Sequence, residues 1–332
     1  MAPSGLQPIA PSLRISLEAP VPTLPTLVVY NPASSAGRTK QRWAELAPQV
    51  RGVLGPVQVH ETQGPGDASF AVRDALRKQP HHVLCIGGDG TNHEVINGFF
   101  EVGSTLPIAP EATFSFLVSG TGGDLGRTFP AAHDPAALLP RIVANDYQPL
   151  DLIGCTYTAD DDSAQFELIV NIASLGMGGW VCRRVDRRPK GRMPADALFF
   201  LTSLEALVKT QPFSVHVRVD DGEPRPVMMR NIVIANARFH GGGMEIAPHA
   251  QTDDGELDLV ISGAFKPLPM VWVSRLMYRG RAHEHPLITM ERARRVEILP
   301  DTDDVFLEMD GEAMGRAPAT FETLPGVLRA IL

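Results

Sequence analysis

The chain has 332 residues, 44% of them hydrophobic, and its 30 basic and 38 acidic side chains leave a net charge of −8 and a pI near 5.7. This length supports one large domain or, as expected here, two domains with separate cores, and the charge argues against a nucleic-acid binder that relies on a broadly basic surface. No apolar run approaches the roughly 18 to 20 residues of a membrane span. Cys85, Cys155 and Cys182 show neither CxxC spacing nor an even count, which fits buried free thiols in a reducing, cytoplasmic compartment.

Residues 1–24 are rich in proline and carry no continuous apolar stretch, so they read as a disordered leader rather than a signal peptide. Thr26 to Tyr30 is a short apolar strand that empties into Asn31, Pro32, Ala33, Ser34, Ser35, Ala36 and Gly37, with a helix expected from about Arg38. Val57 to Glu61 is the next strand, followed by Thr62 to Asp67 and a helix through Ala68, Ala71, Ala75 and Leu76. Val83 to Ile86 then breaks into Gly87, Gly88, Asp89, Gly90 and Thr91 before a helical pattern with Val95, Ile96, Phe99 and Phe100. Phe114 to Val118 is a fourth strand, ending in Ser119 to Leu125. Strands alternating with helices at this spacing predict a doubly wound parallel sheet over 25–149, whose polar loops gather at the carboxyl ends of the strands.

From about residue 150 the rhythm becomes strand after strand: Leu150 to Thr156, Phe166 to Ala173, Phe213 to Val219, Val227 to Ala235, Glu256 to Ile261, Arg294 to Leu299 and Val305 to Met309. A single helical segment, Pro194 to Thr210, interrupts them. Closely spaced strands with Gly, Pro and Asp turns predict a β-rich antiparallel sandwich over 150–318. The last segment, 319–332, is expected to pack back on the first domain.

Glycines at a strand end let a phosphate approach the backbone, and the free amides of a helix N-terminus favour bound negative charge. Asp89 sits among them. A carboxylate in an anion-binding loop repels phosphate unless Mg²⁺ lies between the two, so the pairing points to a metal-bound nucleotide and phosphoryl transfer. Other sites are excluded by inspection. There is no GxxxxGK[ST], Leu125 breaks a GxGxxG from Gly120, and Ile172 stands where a GxSxG elbow at Ser174 needs its first glycine. The histidines lack zinc-binding spacing, so surface or packing roles are expected.

The ordered series NPxS (Asn31 to Ser34), TxxxGD (Thr62 to Asp67), GGDGTxxE (Gly87 to Glu94), GTxxD (Gly120 to Asp124), APxAxxxDGxLD (Ala247 to Asp258) and DGE (Asp310 to Glu312) resembles the diacylglycerol kinase catalytic-domain family. That family includes bacterial lipid kinases and the sphingosine and ceramide kinases. The resemblance implies an NAD kinase- and phosphofructokinase-like nucleotide domain followed by a lipid-binding β domain, and an ATP- and Mg²⁺-dependent kinase of a lipid hydroxyl. It implies an ATP site lined by Asn31, Pro32, Ser34, Ser35, Thr62, Gly87, Gly88, Asp89, Gly90, Thr91, Glu94, Gly120, Thr121 and Asp124. Asp254, with backbone carbonyls near Gln251 and Glu256, would match the family's bound cation, and Asp310 and Glu312 would stand beside Asp89 as the catalytic acids. The DGE residues themselves leave two geometries open: an extended segment aims Asp310 and Glu312 the same way, whereas a turn at Gly311 separates them.

One departure stands out, since Gly123 replaces the asparagine that usually precedes Asp124 and removes a hydrogen-bonding side chain. Two rival readings remain on the sequence. An NAD kinase would share GGDGT, but the Asn-Glu dipeptide of that family's helix is absent from this chain. A non-catalytic nucleotide or lipid sensor of the same fold is the other. Peripheral contact with the inner membrane face is expected at Arg183, Arg184, Arg187, Arg188, Lys190 and Arg192 with the helix Ala195 to Val208, or at Trp272, Arg275, Tyr278, Arg279 and Arg281. A homodimer is compatible with the sequence, and nucleic acid is not an expected partner.

Overall fold

The computed structural model describes residues 24–119, 123–188, 195–266, 273–302 and 305–332. The first strand, β1 (Thr26–Tyr30), is fully buried and is followed by α1 (Arg38–Leu54), β2 (Val57–Glu61), α2 (Asp67–Lys78), β3 (His82–Gly87), α3 (Asp89–Asn97) and β4 (Thr113–Val118). All four strands run parallel in the order β4-β3-β1-β2. β1, β3 and β4 are near-continuous apolar runs because helices cover both of their faces. On one face α2 lays Ala68, Val72 and Leu76, spaced four apart, with Val95 and Ile96 of α3 and Phe99 just beyond it. On the other, Trp43, Leu46, Val50 and Leu54 of α1 pack with Leu138, Leu139 and Ile142 of α5 (Pro135–Ala144), which follows the short α4 (Asp124–Thr128).

The second half continues with β5 (Gln148–Ala159), β6 (Ala164–Ile169), β7 (Ile172–Gly176), α6 (Met177–Asp186), α7 (Ala195–Lys209), β8 (Phe213–Val219), β9 (Arg225–Ala235), β10 (Phe239–His240) and β11 (Met244–Glu245). It ends with β12 (Leu257–Gly263), β13 (Ile288–Ala293), β14 (Arg295–Pro300), β15 (Phe306–Met309) and β16 (Glu312–Ala330). Pairing among these strands is antiparallel. Alternate residues of the strands turn inward to one core that includes Ile153, Leu175, Val217, Ile232, Leu259, Ile298, Leu307 and Phe321. The opposite face of β7, β9 and β12 carries Ile172, Val233 and Val260, covered by Ile246, Phe265, Val273 and Met277.

Strand β16 joins the halves. It pairs antiparallel with β14, β15 and β5 and then parallel with β4, at Arg329 opposite Thr113 and Ala330 opposite Phe114. Ile331 donates its amide to Phe114 O at 2.8 Å, and Ile331 and Leu332 lie buried in the two cores of the α/β half. Among the described residues the two halves thus share one 14-stranded sheet.

The structure differs from the sequence reading in several elements. Phe166 to Ala173 is not one strand; it is β6 and β7 with a break at Val170 and Asn171, whose amides turn to the Asp310 carboxylate. The β half holds a second full helix, α6, whose glycine-rich start conceals its periodicity. Strands β13 and β16 also went unread. Residues 1–23 of the leader 1–24, together with Lys190, Arg192 and Trp272, fall outside the described residues.

Candidate functional site

The carboxyl ends of β1, β3 and β4 bring three loops together. In the first, Asn31 Oδ1 accepts the Ala33 amide at 2.9 Å, and the Ser34 hydroxyl donates to Asn31 O at 2.9 Å and meets Thr39 Oγ1. The Ser35 hydroxyl donates to Ser119 O, and Thr39 Oγ1 pairs with Ser119 Oγ at 2.7 Å. Ser35 and Thr39 therefore tie the β1 loop to the end of β4, while Ser34 closes the loop on itself and on Thr39. Thr62, buried after β2, donates its amide to Tyr30 O, and Pro32 lies in the turn between.

The glycines of the β3 loop have distinct tasks. A β-carbon on Gly87 would strike the side chain of Thr91, which folds back beneath the loop. Gly88 caps α3 in an extended conformation, and a β-carbon there would meet nothing within 4 Å among the described residues, so the space above the helix N-terminus is open. That is the shape and polarity an anion requires. Glu94, further along α3, accepts the Ala68 amide at 3.2 Å and so holds the N-terminus of α2.

Two acids lie close together beside this loop. The Asp89 carboxylate accepts the amides of Asp124 at 3.0 Å and Leu125 at 3.2 Å. Burial and the neighbouring Asp124 charge raise its pKa to about 7, against the lowering from those two amides. Asp124 is buried; its Oδ2 accepts the Gly242 amide at 2.8 Å from the β10–β11 turn. Its Oδ1 has no hydrogen-bond partner, with Arg127 Nε 3.4 Å away. Gly120 and Thr121 of the same motif lie outside the described residues.

The DGE segment separates its two acids. Asp310, at φ 49°, and Gly311, at φ 89°, make a tight turn between β15 and β16. The Asp310 carboxylate points inward, where it accepts amides from Val170 at 3.2 Å, Asn171 at 2.9 Å and Ile172 at 3.1 Å. It also pairs with His93 Nδ1 at 2.9 Å. Burial would depress the pKa of His93, but the Asp310 hydrogen bond and charge outweigh it and hold the pKa above the ordinary imidazole value. With four donors on one carboxylate, Asp310 is a lock between the halves, not a free acid. Asn97, one turn after His93, bonds both Leu168 N and Leu168 O and reinforces the lock.

Glu312 points the other way. Its side chain is open to solvent, yet its carboxylate end lies against Gly90, so closely that a β-carbon at that position would overlap Oε1. Loss of hydration there, with the negative charges of Asp186, Glu94 and Glu308, raises its pKa against a lowering by His93. Beneath the turn, fully buried Glu308 accepts the Gly311 amide at 3.0 Å.

The implied cation position looks different. Asp254 pairs with Arg292, which also reaches Glu256 Oε2 at 3.0 Å, so a guanidinium occupies the place between the two carboxylates, with exposed Gln251 nearby in sequence on the same loop. Asp151 holds this loop to β16 through the amides of Gly255 and Gly326, each at 2.6 Å. Among the described residues no group of three or more His, Cys, Asp and Glu is arranged around a metal position.

Sequence reasoning missed His93, Asn97, Ser119, Asp151 and Glu308. His93 lies inside GGDGTxxE, Ser119 directly before GTxxD and Glu308 two residues before DGE, whereas Asp151 stood by no motif.

Comparison with known proteins agrees with this architecture. Residues 25–155 match the family description "Diacylglycerol kinase catalytic domain", and residues 171–332 match "YegS C-terminal NAD kinase beta sandwich-like domain". The chain is 24% identical over 301 residues to the diacylglycerol kinase of Bacillus subtilis, covering 90% of this chain and 92% of that one. It is 26% identical over 300 residues to the diacylglycerol kinase of Staphylococcus carnosus, covering 90% and 91%. A crystal structure of a diacylglycerol kinase from Bacillus anthracis superposes with a TM-score of 0.65 at 17% identity, over 92% of this chain and 96% of that one. Yeast NADH kinase shares the fold more distantly, with a TM-score of 0.51 at 11% identity over 93% of this chain and 82% of that one. The motifs and both matched regions run the length of one connected fold, and the chain belongs to the diacylglycerol kinase catalytic-domain family and is a kinase.

Proposed function

We propose that this kinase transfers the γ-phosphoryl group of ATP to a hydroxyl of a membrane lipid, with diacylglycerol the first candidate and a sphingoid base or ceramide the next. The observation that carries the reading is the Glu312 carboxylate set against Gly90, two residues from Gly88, where a β-carbon would meet nothing within 4 Å among the described residues. Phosphoryl transfer needs an aligned hydroxyl, compensated phosphate charge and an acceptor for the hydroxyl proton. Glu312, with its raised pKa, is the acceptor that this geometry supports; Asp310 acts by fixing the turn that presents it. Amides at the α3 N-terminus bind the transferring phosphate, and the β1 loop, from Asn31 to Ser35, borders the remainder of the nucleotide.

Asp89 and Asp124 fit Mg²⁺. They are two mutually repelling carboxylates: Asp89 has a raised pKa, and the buried Oδ1 of Asp124 takes no hydrogen bond among the described residues and has only the half-exposed Arg127 guanidinium beside it, with Nε at 3.4 Å. Mg²⁺ is usually held by one or two carboxylates together with substrate phosphates and water rather than by a full protein cage. When bound, the ion would compensate charge on the phosphates. Asp254 and Glu256, neutralised by Arg292, do not have that character.

Among the described residues no helix is long and apolar enough to cross a membrane, so the substrate is reached from the membrane surface, proposed to be the inner face. The test is transfer of label from γ-labelled ATP to a panel of lipids, with and without a chelator. Label in diacylglycerol that is lost with the chelator and lost in Glu312→Gln supports the reading. Label passing to NAD, or nucleotide binding with no transfer to any lipid, overturns it.

A further inference from the structure

Helix α7 is turned inside out. Its inward positions, Thr202 and Ala206, are both 0% exposed, whereas Phe200 is 62%, Leu201 46%, Leu204 40% and Val208 70% exposed. Phe200, Leu204 and Val208 fall four apart and Leu201 flanks them, so all four lie on one stripe facing away from the protein. The small inward residues let α7 lie close against α6, and Thr202 satisfies its buried hydroxyl on Leu198 O at 2.7 Å. Folding the chain does not use the outer stripe.

The charge beside the stripe is positive on balance. Arg184 is exposed on α6, Arg187 is exposed just past its end with Arg188 half-buried, and Lys209 is exposed at the end of α7; the acids of this stretch are Glu205, which pairs with Arg184, Arg188 and Lys209, Asp186, and Asp196 in the first turn of α7. This local excess of cations stands out on a chain of net charge −8. Arg230 fixes the helix from beneath. Its buried guanidinium donates to Thr210 O at 2.8 Å and Phe265 O at 2.8 Å, so the last turn of α7 is held at a set height above the sheet. The other end of the unit reaches the site, because α6 carries Asp186, one of the charges acting on Glu312.

We infer that the outer face of α7, with the cations of α6 and Lys209 around it, is the surface by which the protein seats on an anionic lipid bilayer. The inference rests on the lipid-kinase reading and adds to it the face that meets the membrane. An apolar stripe of four side chains falls well short of the roughly 20 to 30 residues a side that a stable protein interface engages, and a second copy would bring like charges to its rim. A bilayer suits both features: apolar side chains enter the acyl boundary while cations meet anionic headgroups.

The test uses the full chain with vesicles of phosphatidylcholine containing 30% phosphatidylglycerol, and with a water-soluble short-chain diacylglycerol as a separate substrate. Leu204→Glu with Val208→Glu alters exposed positions only. Expected are at least tenfold weaker sedimentation with the vesicles, weaker binding of the unmodified chain to pure phosphatidylcholine, and unchanged phosphorylation of the short-chain lipid. Vesicle binding by the double variant equal to that of the unmodified chain overturns the inference. So does a shift from dimer to monomer with vesicle binding intact, which would make the stripe a self-association face. Absence of phosphorylation on every lipid would instead refute the kinase reading, and the vesicle result would still decide the membrane face.

Discussion

Replacing Gly90 with alanine separates catalytic placement from folding. Gly90 is the second residue of α3, and its φ lies outside the left-handed region, so an alanine fits the backbone. A helical Gly→Ala change favours the folded state by up to about 1 kcal/mol. The new β-carbon lands on the Glu312 carboxylate, with its Cδ at 3.2 Å and Oε1 closer still. Restoring an ordinary separation of ~3.5 Å moves that carboxylate by about 1 Å, which the exposed side chain can do at little cost. A displacement of that size at a reacting centre costs on the order of 10²-fold in rate, or about 2.7 kcal/mol of barrier. Thermal melts and steady-state kinetics on the same preparation should therefore move in opposite directions, with Tm unchanged or slightly higher and kcat down about 100-fold. Glu312→Asp in the Gly90→Ala background, which retracts the acid by one methylene, should recover part of the loss. A kcat within twofold of the unmodified enzyme would refute the placement of Glu312, and a fall in Tm of several degrees would show that Gly90 is there for packing.

Glu312→Gln should lower kcat by roughly 10²- to 10⁴-fold, the range for losing a general base, with a melting curve that overlays the original. Asp310→Asn should do the reverse of a clean catalytic loss. An amide cannot accept from three backbone N–H groups and His93 at once, so unfolding in urea should show a destabilisation of about 3 kcal/mol or more; a native melting curve with normal urea midpoint would remove its role as a lock. His82 is buried between Thr113 and Ser115, and burial drops its pKa to about 3. Its neutral form is favoured by the fold, so its contribution is complete above about pH 6.5 and is lost as pH falls towards 3; at pH 5 the loss is about 2 kcal/mol. His82→Gln should flatten stability against pH between 7 and 5 relative to the unmodified chain, and parallel curves for the two would refute this assignment.

The local features were legible because they depend on nearest neighbours. Apolar runs bounded by glycine-rich loops mark β1, β3 and β4, and GGDGT marks the glycine turn that opens α3. Phe166 to Ala173 shows the limit. Its composition is that of one strand, and only the Asp310 carboxylate, nearly 140 residues away, draws the amides of 170–172 out of register to make two. His93 was hidden for the same reason, since its partner comes from the other half of the molecule. Arg292, which arrives through the β12–β13 pairing to meet Asp254 and Glu256, could not be foreseen from the cation motif around Asp254.

By itself the sequence determined which loops carry glycine, acid and hydroxyl, and hence the class of chemistry, because residue type and spacing set local conformation and charge. Tertiary structure decided where each acid points. Asp310 and Glu312 are near neighbours with the same functional group, and the positive φ at Asp310 and Gly311 sends one into a cage of amides and the other over Gly90. Hydration and hydrogen-bond supply differ between those two places, and they are set by segments far apart in the chain.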